Sequence, residues 1–433
     1  MLKTYEEAVS YIHSRPRLRK ETTQKRILNL LAKLGNPQHE VKSVHVVGTN
    51  GKGSVVAYLL NMLQGIGKRV GTFTSPFMIR FNERISINGQ PIPDADLLAI
   101  VNQVKPIVDE IDDTNAEMGP SEFEVLTALM YLYFAQQKLD LAIVEAGIGG
   151  ETDSTNVDDN SIMTIITTIG MDHMKLLGNT ITKIAHTKAG IIKPNTPTIV
   201  GKLPSKALAE VETVAATKSS PLTIMGKDYT VKIDNQHHFD FSSLRMDIFR
   251  IKTNMLGKFE MEDAGIAIAA FTKLNKLEFK LKDKEVKAVI KAEIQQTKWI
   301  GRMEVINSNP LTIIDGAHNV PAIKSLKESL SDYANRQIDL VMAVFADKQY
   351  QQMLDILESM PNVNLYLTSF VPDENRKVAD FSFVDESKVK YAANWMELIS
   401  ELELQNYNDK QKLIVITGSL LFISEVRKYL LEN

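Results

Sequence analysis

Ser43-Val44-His45-Val46-Val47, then Gly48-Thr49-Asn50-Gly51-Lys52-Gly53-Ser54, then Val55 to Leu63 (VVAYLLNML) is the stretch that decides the fold. Three of its first five residues are valines around one histidine, and the run reads as a strand. The last nine are apolar apart from Asn61 and read as a buried helix. A glycine-rich turn with one lysine joins them, and strand, glycine loop, helix is the context a phosphate-binding loop requires. Glycines let successive backbone N–H groups turn inward, the helix N-terminus adds partial positive charge, and Lys52 can bridge phosphates. In the common form of this loop the residue after the lysine is Ser or Thr, whose hydroxyl binds Mg²⁺. Here it is Gly53, so either Ser54 compensates or the hydroxyl comes from elsewhere. Kinases, transport ATPases and GTPases all share such a loop, so it does not settle the reaction.

Outward from this loop, β-branched runs alternate with helical patterns, which reads as α/β with parallel strands. Further strands are expected at Arg69 to Thr74, Leu141 to Glu145, Met163 to Thr168 and Thr198 to Val200. Glu122 to Gln136 has apolar residues at helical spacing, with Ser121 as N-cap after Pro120. From about residue 221 to 255 the texture changes, and Tyr229 to Ile233 and Met246 to Ile251 look like a small antiparallel sheet. Helix returns over Leu256 to Phe271. A charged stretch, Lys280 to Lys298, leads to Trp299-Ile300-Gly301, where the domain boundary is expected. Beyond it the α/β rhythm repeats, with strands at Leu311 to Ile314, Leu340 to Phe345, Asn364 to Thr368 and Leu413 to Thr417.

The chain has 433 residues, and ~100–200 residues per domain suggest two or three domains. Fifty Lys and Arg against 53 Asp and Glu leave a net charge of −3, with no overall basic field for nucleic acid or anionic membrane. No apolar run approaches the ~18 residues that span a bilayer. Met1 to Ser10 carries two glutamates and no apolar core, unlike a secretory signal. Zero cysteines remove disulfides, thiol nucleophiles and cysteine-ligated zinc. A cytoplasmic enzyme is expected.

Further motifs narrow the choice. The loop is followed by Thr74-Ser75-Pro76-Phe77, Phe81-Asn82-Glu83-Arg84-Ile85, Glu145-Ala146-Gly147-Ile148-Gly149-Gly150 and Asp153-Ser154-Thr155-Asn156. Then come Asp172-His173, Lys188-Ala189-Gly190-Ile191-Ile192-Lys193, Gly301-Arg302-Met303-Glu304, Asp315-Gly316-Ala317-His318-Asn319 and Thr417-Gly418-Ser419-Leu420. In this order the set resembles the folylpolyglutamate synthase/dihydrofolate synthase family, relatives of the Mur ligases. The resemblance implies a P-loop ATPase domain over residues 1–298, with a mostly parallel sheet and the small antiparallel one. A Rossmann-like α/β domain would follow over 299–433. It also implies ATP-dependent amide formation: phosphorylation of a folate carboxylate, then attack by the amino group of L-glutamate. The chemistry explains why cations are needed, since carboxylate and triphosphate repel each other.

By resemblance, Gly48 to Ser54 bind ATP together with Asp263, Arg302 and Asp315. Ser75 and Glu145 would hold a first Mg²⁺, and His173 a second beside Glu145. Lys52, His173 and Lys188 form the catalytic set. Phe77, Arg84, Phe123, Asp153 and Ser154 match the folate side, with Phe81 to Ile85 as a mobile loop. His318 and Ser419 match positions near the incoming glutamate, and a monomer is implied. Taken alone, Ser75 reads as a turn residue before Pro76, His173 as an ordinary hydrogen-bonded histidine, and Phe123 equally as core. Arg302 alone could be a solvated linker arginine, although its fork suits a phosphate. An ammonium has three donors and no acceptor, so Lys188 cannot ligate a cation unmodified. Reaction of its neutral amine with CO₂ gives a carbamate, which the resemblance places here; on sequence alone Lys188 reads as a surface lysine.

Glu151 stands where the family often has Arg, and Asp153-Ser154 where Asp-Ala is common. Phe259, Glu260 and Asp263 replace a frequent His-Gln and Asn, and a carboxylate cannot donate the asparagine's hydrogen bond. The pattern near Glu151 looks more like members that only extend folylpolyglutamates than like bifunctional ones. The alternatives are the bifunctional synthase, a Mur-type cell-wall ligase, and a nucleotide-binding regulator without catalysis. A Mur-type ligase usually carries an extra N-terminal domain, for which a phosphate loop starting at Gly48 leaves no room.

Overall fold

The computed structural model describes residues 1–17, 19, 23–234, 238–372, 376–381 and 389–432. The chain forms two compact units. The first comprises 1–232, 240–251 and 262–295; the second comprises 233–239, 252–261 and 296–433.

The first unit is built on an eight-stranded sheet of order β4-β3-β2-β5-β1-β6-β7-β8. Its strands are β1 (Ser43–Val47), β2 (Val70–Phe73), β3 (Ile85–Ile87), β4 (Gln90–Pro91), β5 (Leu141–Glu145), β6 (Ser161–Ile166), β7 (Thr198–Val200) and β8 (Leu222–Ile224). Strands β2, β5, β1, β6, β7 and β8 run parallel; β3 and β4 add an antiparallel edge. All five residues of β1 and of β5 are buried, as expected for central strands covered on both faces. Because β1 lies between β5 and β6, the loops after these three strands open side by side at the carboxyl edge. That is where open α/β sheets place ligands.

The helix expected from Val55 begins earlier, at Lys52, and runs to Gln64. Gly51, at φ +82°, turns the chain into it. The helix Glu122–Gln137 opens with a capping box: the Ser121 hydroxyl and the Glu124 side chain each bind the other's backbone N–H. Strand β6 stops two residues before its expected end because the hydroxyls of Thr167 and Thr168 both turn to the Asn50 carbonyl, at 2.6 and 3.0 Å. The charged stretch after Lys280 is mostly a helix, Asp283–Gln296. Val286, Ile290 and Ile294, four residues apart, form its buried stripe.

Strands β9 (Tyr229–Ile233), β10 (His238–Ser243) and β11 (Asp247–Lys252) form a separate three-stranded sheet in the order β11-β10-β9. The second unit carries a six-stranded sheet, β12-β13-β17-β14-β15-β16. These are β12 (Glu304–Ser308), β13 (Leu311–Ile314), β14 (Gln337–Met342), β15 (Val363–Thr368), β16 (Lys390–Ala392) and β17 (Lys412–Thr417). All pairs are parallel except β12 with β13. The strand expected over Leu340 to Phe345 starts and ends three residues earlier, since the Val344 carbonyl leaves the ladder to accept from Ala379 N–H at 2.8 Å. Among the described residues, no helix is long and apolar enough to cross a membrane.

Candidate active site

At the carboxyl edge of the first sheet, two lysines converge on one backbone oxygen. Lys52 donates to the Gly48 carbonyl at 3.2 Å, and Lys188 donates to the same oxygen at 2.9 Å. Lys52 also lies 3.7 Å from Glu145 Oε1 at the end of β5. Glu145 is only 4% exposed, and a carboxylate so buried requires a cation nearby. Lys188 is 5% exposed, on the last turn of the helix Ile181–Ala189. Burial, with the charge of Lys52 adding to it, pushes the Lys188 amine down to about 7; Asp172 and Asp153 act against the shift. The ammonium and the nucleophilic neutral amine are therefore both accessible near neutral pH.

The loop around them is fixed by residues that sequence reading did not single out. Thr49 N–H donates to the Thr168 carbonyl at 2.7 Å, and Asn50 N–H to the Thr168 hydroxyl at 3.0 Å. The Thr49 hydroxyl accepts from Gly170 N–H at 3.0 Å. Tandem threonines at a parallel strand's end were the available signal. Asp263, on the helix Lys258–Leu274, presses on the loop: a Cβ at Gly51 would stand 2.4 Å from Asp263 Oδ1. With its positive φ, that contact restricts position 51 to glycine.

Ser75 is half-buried just after β2, beside β5 in the sheet. His173 is exposed in a left-handed conformation at φ 48°, and its N–H donates to Asp172 Oδ1 at 2.8 Å. Among the described residues, no three His, Asp or Glu side chains converge on a point. Mg²⁺ keeps waters and substrate phosphates as ligands and takes one or two protein groups. Ser75 and Glu145, on adjacent strand ends, are hard oxygen donors of that kind.

Phe123 packs over the glycine loop after Glu145, so closely that a Cβ at Gly147 would fall 2.5 Å from its ring. Phe123 also lies 5.8 Å from Phe73. Arg84 stands over the rings of Phe77 and Phe81, at 5.2 and 5.7 Å. Its Nε is buried without a hydrogen-bond partner among the described residues, and burial lowers its pKa against the pull of Glu122. Phe81 to Arg84 form a short 3₁₀ turn with Phe81 buried, followed directly by β3. Asp153 is buried, with Oδ2 accepting from Ile148 N–H at 2.7 Å and Oδ1 from Thr155 N–H at 3.0 Å. Ser154 beside it is half-buried and Glu151 is exposed.

In the second unit, Asp315 follows β13. Its Oδ2 accepts from Met303 N–H at 3.0 Å and its Oδ1 from Ala317 N–H at 2.9 Å. Burial raises its pKa, with Arg302 acting against the rise. His318 Nδ1 lies 2.7 Å from the Gly316 carbonyl, so Nδ1 carries the proton, since a carbonyl only accepts. Ser419 is buried after β17, and the Thr417 hydroxyl and Gly418 N–H both donate to the Ala317 carbonyl, at 3.2 and 3.0 Å. Asp315, His318 and Ser419 thus share one carboxyl edge, as Lys52, Glu145 and Lys188 share the other.

The sequence model of the Mur ligase middle domain matches residues 46–271, and that of the Mur ligase glutamate ligase domain matches 301–420. The chain is 37% identical to the dihydrofolate synthase/folylpolyglutamate synthase of Bacillus subtilis, over 99% of this chain and 100% of that protein. It is also 37% identical to the folylpolyglutamate synthase of Lacticaseibacillus casei, over 99% of both. A solved folylpolyglutamate synthase–AMPPCP–folate complex superposes with a TM-score of 0.88 at 37% identity, covering 99% of this chain and 100% of that one.

Proposed function

The chain belongs to the folylpolyglutamate synthase/dihydrofolate synthase family of Mur ligases and is an ATP-dependent ligase, and from that premise we propose that it joins L-glutamate to the γ-carboxylate of a reduced folate or folylpolyglutamate. The observation that carries this reading is the meeting of Lys52 and Lys188 at the Gly48 carbonyl, with Glu145 3.7 Å from Lys52. In the reaction a folate carboxylate oxygen attacks the γ-phosphorus of ATP, the bond to the β-phosphate oxygen breaks, and ADP leaves. The glutamate amine then attacks the acyl carbon, loses a proton, and displaces inorganic phosphate.

Lys52 on the phosphates and the N–H groups of the glycine loop neutralise charge where it develops. Mg²⁺, when bound, supplies the remaining positive charge between carboxylate and triphosphate. Ser75 and Glu145 would hold a first ion, and His173 with a carbamylated Lys188 a second. The buried, near-neutral amine of Lys188 supports the carbamate, because CO₂ reacts with the free amine. Asp263, Arg302 and Asp315 serve the nucleotide, and His318 and Ser419 the glutamate, on family resemblance. Phe77, Arg84, Phe123, Asp153 and Ser154 serve the folate on the same ground, and a monomeric state and a cytoplasmic location rest on expectation from the sequence and family.

Glu151 with Asp153-Ser154 supports a folylpolyglutamate-only enzyme. ADP release is to be measured with tetrahydrofolate, dihydropteroate or a cell-wall precursor, each with and without L-glutamate. Glutamate-dependent turnover of tetrahydrofolate, with dihydropteroate poor, is expected. Comparable kcat/KM for the two pteridines would make the enzyme bifunctional, and turnover of the precursor alone would replace folate as the substrate.

A further inference from the structure

His45 lies on β1, fully buried, three residues before Gly48 of the glycine loop. Its Nε2 stands 2.7 Å from Thr155 Oγ1. The direction of that bond follows from the hydroxyl's other partner. Thr155 gives its only hydroxyl proton to Asp153 Oδ1 at 2.6 Å, so toward His45 it can only accept. Nε2 therefore carries the imidazole proton. Burial keeps the ring neutral, pushing its pKa down to about 3, with the charge of Lys193 adding to the effect. On the other side of the ring, Nδ1 is 3.9 Å from Asp158 Oδ1, too long for a hydrogen bond. Asp158 is itself held by the Ser43 hydroxyl and lies 3.8 Å from Lys193.

The chain of bonds leads to the active site. Thr155 is anchored a second time by Tyr131, whose hydroxyl donates to its carbonyl at 2.7 Å. Asp153 receives Thr155 and passes the constraint on through Oδ2 to the N–H of Ile148. Ile148 sits in the middle of the Gly147–Gly150 loop, directly after β5 and Glu145. At one end of that loop Gly147 lies against the Phe123 ring; beyond the other, Glu151 N–H donates to the Thr187 carbonyl at 2.8 Å, next to Lys188.

We infer that His45 is a positioning residue for the acyl substrate: through Thr155 and Asp153 it fixes the height of the Gly147–Gly150 loop beneath Phe123. It touches no reacting atom. Its effect falls on the folate side of the site, where Phe123 stands, while the threonines that fix the phosphate loop are outside the chain of bonds. The kinetic part of the inference rests on the folate reading; the structural part does not.

The test uses the full chain with His45→Met, which fills the space without a donor, and His45→Gln, whose Nε2 can donate where the imidazole Nε2 does. In His45→Met, amide exchange at Ile148 rises about tenfold, while the helix Glu122–Gln137 keeps its protection. The KM for tetrahydrofolate rises about tenfold, and that for ATP stays within about threefold. His45→Gln returns both toward wild type. Nitrogen-15 NMR of the wild type shows the proton on Nε2. If His45→Met does not fold, Thr155→Val breaks the same link from the other end and Thr155→Ser preserves it.

Unchanged exchange at Ile148 in the folded variant, exchange raised equally everywhere, or a proton on Nδ1 overturns the inference. So does an ATP KM that rises as much as the folate KM. If the wild type does not turn over tetrahydrofolate, the folate reading falls and the exchange measurement still decides the role of His45.

Discussion

The carboxyl edges of the two sheets are built alike and equipped differently. In each, candidate residues follow neighbouring parallel strands: β5, β1 and β6 in the first unit, β13 and β17 in the second. At the first edge the charged groups face one another, with Lys52 on Glu145 and Lys188 buried beside them on a shared carbonyl. At the second edge the polar groups are occupied by their own backbone. Asp315 holds Met303 and Ala317, and the imidazole of His318 holds Gly316. The difference assigns charge handling to the first edge and shaping to the second. Substitutions at the first should cost rate before stability, and those at the second stability before rate.

The largest effect is expected at the two lysines. Lys52→Ala and Lys188→Ala should each lower glutamate-dependent ADP release by about 10²–10³-fold, with urea midpoints near wild type. Acetate or another short carboxylate should restore part of the Lys188→Ala rate, since it can occupy the carbamate's place. Full activity of Lys188→Ala in CO₂-depleted buffer would remove the carbamate from the site.

Asp315→Ala should reverse the pattern. It strands the N–H groups of Met303 and Ala317 in a buried setting, at a cost of about 2–4 kcal/mol in urea unfolding. Asp315→Asn keeps an acceptor for one of them and should cost less. An Asp315→Ala protein as stable as wild type would break the comparison, because the carboxylate would then have no shaping role.

How far such contrasts are legible in sequence depends on the length scale of their cause. Strands with a continuous apolar run are legible locally: Leu141–Glu145, Thr198–Val200 and Leu311–Ile314 stand where the residues place them, whereas β3, β4, β8, β12 and β16 were not expected. The long helix Asp94–Thr114 is hard to read locally, because Pro106 interrupts its interior and its apolar stripe is dispersed among acids. Lys52 was readable because glycine loop, strand and helix are adjacent in the chain. The partners of the locking threonines and of His45 were not, because they lie some 110 or more residues away in the chain. The charge state of Lys188 depends on burial against Lys52, which only the fold supplies.

His45 also gives the first unit a pH-dependent stability. Its folded pKa, about 3, lies below the ordinary value of 6.5, so between these limits the unfolded chain binds the extra proton. Stability must therefore fall as pH drops from 6.5 toward 3, by up to about 1.4 kcal/mol per unit for this group. Urea titrations of wild type and His45→Gln at pH 7 and 5.5 should show the smaller acid loss in the variant. Equal losses would mean that the buried imidazole is not kept neutral.

The smallest effect, and the finest test of the first edge, concerns which serine serves the metal. Gly53 leaves the phosphate loop without the hydroxyl that normally follows its lysine. Ser54 is 1% exposed within the first turn of its helix, whereas Ser75 is half-buried on the strand end beside Glu145. A hydroxyl at a strand end can reach an ion that the neighbouring strand's carboxylate also reaches; Ser54 stands one residue past the position whose hydroxyl normally does so. Ser75→Ala should therefore raise the Mg²⁺ concentration for half-maximal ADP release by about three- to tenfold, the worth of one oxygen ligand or hydrogen bond. Ser54→Ala should shift it less than twofold, with any loss showing in kcat. Equal or reversed shifts would place the ligand at Ser54, and the first edge would then bind its metal as ordinary phosphate loops do despite Gly53.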